Sequence, residues 1–165
     1  MKEFGKVTRP FQQKIIKEIK REGFWEGFLS MAEIFELFKL HAENNNFKDK
    51  LTLKKAGFVF YPNEINFSFS YSLEDSDNQE KTSNLALTGI FTNNNGELSE
   101  DEQVQIHSEN EKISKMIYKI FGQEDSLSVK QFLTFTLEEM LGVKINKISF
   151  WDRSLSILVD KYEEN

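Results

Sequence analysis

Carboxylates crowd into two short stretches of this chain. Glu74, Asp75, Asp77 and Glu80 close NEINFSFSYSLEDSDNQEK (63–81), and Glu97, Glu100, Asp101 and Glu102 end FTNNNGELSEDE (91–102). Side chains of this type at this density can hold a cation or offer a negative surface to a positive partner.

The cation reading can be checked against spacing. In 91–102, Asn93, Asn95 and Gly96 fall at positions 3, 5 and 6 of an EF-hand-like loop, and Glu102 at position 12. That arrangement would supply alternating oxygens, a sharp turn and a closing bidentate carboxylate. Position 1, however, is Phe91, which has no side-chain oxygen, and residues 83–92 alternate like a strand instead of forming an entering helix. The stretch therefore reads as an Asn-Gly turn followed by the capping-type sequence Ser99-Glu100-Asp101-Glu102. Asp75-Ser76-Asp77 lacks the glycine such a loop needs. No metal and no cofactor is expected.

Other chemistry is thin. The chain has two histidines and no cysteine, so thiolate nucleophiles, disulfides and cysteine-based zinc sites have no residues to form them. His41 sits in an apolar helical run and reads as a packed core histidine. His107 stands two residues before Glu109, a pairing that a helix-capping serine at 108 interrupts. No Gly-x-Ser-x-Gly, Walker A or Gly-x-Gly-x-x-Gly sequence is present.

The net charge of −6 and the pI near 5.1 argue against direct nucleic-acid binding, which favours a basic balance. The charge is uneven, since Lys14, Lys17 and Arg21 mark a basic outer face on an N-terminal helix. The balance of these observations is a non-enzymatic protein-binding module. We expect an acidic inhibitor or immunity-type protein that neutralises a basic protein partner, such as a toxin or a nucleic-acid-processing enzyme. The contact residues would be Glu74, Asp75, Asp77, Glu80, Glu97, Glu100, Asp101 and Glu102. Two other readings fit the same composition. One is an assembly subunit docking through the basic N-terminal helix, the other an enzyme using carboxylates without a recognisable motif.

The elements that carry these residues follow from periodicity. Thr8-Arg9-Pro10 opens a helix with Phe11, Ile15 and Ile19 on one side, closed at Gly23. Ser30-Met31-Ala32-Glu33 has capping-box spacing ahead of Ile34, Leu37 and Phe38, and Asn44-Asn45-Asn46 stops that helix. Residues 51–62 and 63–74 alternate around a Pro62-Asn63 turn, as an antiparallel hairpin does. Residues 83–92 read as a third strand, and 102–107 as a short fourth. Ser108-Glu109-Asn110-Glu111 and Ser128-Val129-Lys130-Gln131 open two further helices, the second ending at Gly142. Residues 144–151 and 154–162 flank Asp152-Arg153 as a final hairpin.

Helices in blocks and strands joined by turns predict an α+β fold. We expect a mainly antiparallel sheet of five to six strands, with two N-terminal and two C-terminal-half helices packed on it. The length suits a single globular domain over 1–165. Sixteen phenylalanines predict an aromatic core, with Phe67, Phe69 and Tyr71 facing the helices. One sheet face should meet water or a partner. The N-terminus has no apolar signal region and no run approaches a membrane span, so we expect a cytoplasmic protein that does not enter a membrane.

Overall fold

Alternation and capping account for most of the architecture in the computed structural model, which describes residues 8–44, 49–77, 80–109 and 111–160, with side chains from residue 13 onward. Helix α1 (Thr8–Glu22) ends where Gly23 turns to φ 87° and donates its N–H to the Ile19 carbonyl. Strand β1 (Trp25–Ser30) follows, and its last residue caps helix α2 (Met31–Glu43). The Ser30 hydroxyl accepts the Glu33 N–H, and the Glu33 carboxylate accepts the Ser30 N–H. The chain continues through β2 (Lys50–Tyr61), β3 (Glu64–Glu74), β4 (Thr82–Asn94), β5 (Glu97–Leu98) and β6 (Gln105–His107). Helices α3 (Glu111–Ile120) and α4 (Val129–Leu141) come next, then β7 (Lys147–Trp151) and β8 (Ser154–Val159). Ser128 caps α4 by accepting the Gln131 N–H, and Gly142 closes it in the left-handed conformation.

The α+β class with antiparallel pairing holds, but the strands divide between two sheets. Strands β2, β3, β4 and β5 form one in sequence order, with β6 also paired to β4. The other has the order β1-β8-β7. Strand β1 was not foreseen. It aligns Trp25 with Val159 and Leu29 with Leu155, so the partner that makes it a strand lies at the far end of the chain. The expected strand over 102–107 is shorter, because residues 102–104 bind elsewhere: the Val129 N–H donates to the Glu102 carbonyl and the Val104 N–H to the Leu127 carbonyl. The strand expected from residue 144 starts at Lys147, because the Ile145 N–H donates instead to the Glu138 carboxylate. Asn45 and Asn46 lie outside the described residues.

The inner face of the larger sheet carries Ile65, Phe67, Phe69, Tyr71 and Leu73, all buried, beside Leu85, Leu87 and Phe91. Aromatic rings from the helices meet it. Phe132 of α4 stacks on Phe67 at 5.6 Å and touches Phe38 of α2 at 4.6 Å, and Phe38 meets Phe69 edge-on at 5.0 Å. Gly89 is glycine for lack of room, since a methyl group there would come within 2.6 Å of the Phe67 ring. Trp25, Leu29, Ile148, Phe150, Leu155, Ile157 and Val159 carry the same core onto the smaller sheet. Asn93 ties the sheets together through paired hydrogen bonds to the Phe150 backbone. The opposite face of the larger sheet shows Ser68, Ser70, Ser72, Asn84, Ala86 and Thr88, none of them buried.

Candidate functional site

The two acidic stretches stand at opposite ends of β4. Glu74 pairs with Thr82 at its start, and Glu97 pairs with Asn94 at its finish. Thirteen residues of strand lie between, a distance of roughly 35–40 Å at about 3.3 Å per residue. The screening length in physiological salt is about 8 Å, so the structure does not bring the two stretches together as one electrostatic patch.

The segment from Glu97 to Glu102 is pinned by its main chain. Asn95 (φ 54°) and Gly96 (φ 81°) are the two residues between the paired Asn94 and Glu97, and both adopt the left-handed conformation of a type I′ hairpin turn. Beyond it the Ser99 N–H donates to the Thr92 carbonyl at 2.8 Å, and the Asp101 N–H to the Ser99 hydroxyl at 3.2 Å. The Glu102 carbonyl accepts the Val129 N–H at 2.8 Å, and Gln103 bridges to Ser128. Leu98 and Val104 are buried on either side. The four carboxylates thus ride on a backbone fixed at both ends. Glu100 and Asp101 are exposed, and Glu97 and Glu102 half-buried. Among the described residues one of the four is ion-paired: Lys130 Nζ lies 3.2 Å from Glu100 Oε1, where the Glu100 side chain is 79% exposed. The EF-hand geometry is not adopted, because the Asn93 side chain binds Phe150 and Asn95 forms the turn. Among the described residues no group of three or more His, Asp or Glu gathers as metal ligands would.

The stretch from Glu74 to Glu80 is built differently. The Asp75 N–H donates to the Lys81 carbonyl at 3.1 Å, and Asp75 Oδ1 accepts the Asp77 N–H at 2.9 Å. Asp49 Oδ1 accepts the Ser76 N–H at 3.1 Å. Asp77 and Glu80 are exposed, whereas Asp75 turns to a cleft of about 500 Å³ beside α3. Leu73, Ile113 and Met116 line part of that cleft. Lys81, Lys112, Lys115 and Lys119 also line it, and among the described residues none of the four makes an ion pair. Sequence reasoning missed this cationic wall. Its signal was the spacing of Lys112, Lys115 and Lys119, which puts them on one side of a helix.

His41 is buried, with its ring 5.2 Å from Phe121 and 5.8 Å from Phe135. His107 Nε2 lies 2.9 Å from the Thr88 hydroxyl across the β4–β6 pair. On the outer side of α1, Arg21 is paired with Glu18 and Glu22. Among the described residues no helix is long and apolar enough to cross a membrane. Comparison with family models, curated proteins and solved structures finds no match to this chain.

Proposed function

We propose that the protein works by contact, binding a basic protein partner through the acidic ridge Glu97–Glu102, as an inhibitor or immunity-type protein would. The observation that carries this reading is the fixed backbone beneath the ridge, held at Ser99, Asp101, Glu102 and Val104. Binding costs less when the contact surface is already ordered, and charges held in place steer encounter. Asp77 and Glu80, exposed at the far end of β4, lie too far away to join this surface and add only to the overall negative charge. Asp75 contributes little, because it faces the lysines of the cleft. The inhibitor and immunity reading belongs to the protein's overall acidity, net −6, and to the want of any catalytic motif.

The test is capture of the partner from the native host at low salt, by the wild type and by Glu97→Gln/Glu100→Gln/Asp101→Asn/Glu102→Gln. The wild type should retain a basic protein that the variant loses. Equal retention by both contradicts the ridge as the contact.

A further inference from the structure

Strand β2 is the last strand of the larger sheet, and among the described residues nothing pairs with its outer edge. Proteins blunt such edges with charges, prolines or bulges, because unpaired N–H and C=O groups recruit other strands. Here only the first half is blunted. Lys54 and Lys55 sit at a bulge that shifts the register between Leu53 and Lys55. The second half, Gly57-Phe58-Val59-Phe60-Tyr61, has no charge, no proline and no bulge. Val59 is 54% and Tyr61 51% exposed.

The backbone of this half can be assigned by alternation. Tyr61 and Glu64 close the β2–β3 hairpin across a two-residue turn, so they form a hydrogen-bonded pair. Tyr61, Val59 and Gly57 therefore direct their backbone groups to β3, and Phe60, Phe58 and Ala56 direct theirs outward. Among the described residues no backbone hydrogen bond beyond the β2–β3 ladder engages those three.

We infer that this edge pairs antiparallel with the same edge of a second copy, about a two-fold axis at Val59, joining the two larger sheets into one. The register is self-complementary. Phe58 of each chain comes opposite Phe60 of the other, and these are the residues whose backbone groups point outward. Tyr61 comes opposite Gly57, where a Cβ would find nothing within 4 Å and a facing aromatic ring has room. Lys55 meets the Pro62-Asn63 turn of the other copy, on the face that carries Glu64, so the blunting lysines face a carboxylate and not each other. The same lysines disfavour a strand from a basic partner, which points to a second copy as the occupant. The paired segment is short, so the dimer is a weak one. It leaves the acidic ridge unoccupied and stands independently of the reading above.

Sedimentation equilibrium from low micromolar to sub-millimolar concentration tests it, with Val59→Lys and Val59→Glu as variants. Val59 is exposed enough for both to fold, which an unchanged unfolding midpoint would verify. The wild type should show a monomer–dimer equilibrium. Each variant alone should weaken it about tenfold or more, by setting like charges against each other across the axis. Mixing the two variants should restore the dimer as a heterodimer. A wild type that stays monomeric throughout overturns the inference, as does a variant that dimerises like the wild type. A mixture that fails to reassociate overturns the register.

Discussion

Asn93 and Phe150 are joined as a strand pair would be, although one partner is a side chain. Asn93 Nδ2 donates to the Phe150 carbonyl at 2.9 Å, and the Phe150 N–H donates to Asn93 Oδ1 at 3.3 Å. The residue that would have been an early ligand in a calcium loop is instead a hydrogen-bonded link between the two sheets. Asn93→Ala leaves a part-buried N–H and C=O without partners, and should cost about 1–3 kcal/mol in urea unfolding. A loss below about 0.5 kcal/mol would mean that water replaces both bonds at no cost.

The same geometry bears on metal binding. With Asn93 engaged and Asn95 in the turn, calcium at millimolar concentration should not raise the melting temperature. A dose-dependent rise that disappears in Glu102→Ala would show that the loop rearranges to bind.

Phe69 is fully buried among Phe38, Phe58, Phe67 and Phe132, with ring centroids 5.0–5.8 Å away. Phe69→Ala should cost about 3–5 kcal/mol in denaturant unfolding. A change under about 1 kcal/mol would place that face of the sheet in solvent.

The Tyr71 hydroxyl is buried with no hydrogen-bond partner among the described residues. Burial raises its pKa above the ordinary value of 10.0. The folded state therefore resists losing the proton, while the unfolded chain releases it near pH 10. Stability from this group is intact below that pH and falls above it, by about 1.4 kcal/mol per pH unit. Tyr71→Phe should remove that alkaline loss and, at neutral pH, match or exceed the wild type, since an unpaired buried hydroxyl is costly. A Tyr71→Phe protein that keeps the full alkaline slope would assign the titration to another group.

Much of the local structure is legible in the sequence, since caps and alternation are local signals. Ser30 and Ser128 cap as their spacing predicts, and the turns at Pro62-Asn63 and Asp152-Arg153 fall in place. What escaped depends on distant partners. Trp25–Ser30 has a glycine at its centre and an exposed Phe28, so its alternation is broken, and only pairing with Ser154–Val159 makes it a strand. The division into two sheets follows from that pairing. The acidic stretches were legible as composition, but their separation was not, because it depends on the length and register of β4. The lysines of the cleft were visible as a helical stripe, but nothing in the sequence brings Lys81 and Asp75 to them.

The acidic ridge is tested most directly by stopped-flow association with the captured partner over a range of salt concentrations. We compare the wild type with Glu97→Gln/Glu100→Gln/Asp101→Asn/Glu102→Gln, and with Asp75→Asn/Asp77→Asn/Glu80→Gln. All three should unfold at nearly the same midpoint, since the exposed charges add little stability and the isosteric amides keep the packing of the half-buried Glu97, Glu102 and Asp75. The ridge variant should associate at least about tenfold more slowly at low salt, with a flattened salt dependence, and the second variant should show a smaller change. A ridge variant that associates at the wild-type rate at every salt concentration would contradict the proposed contact.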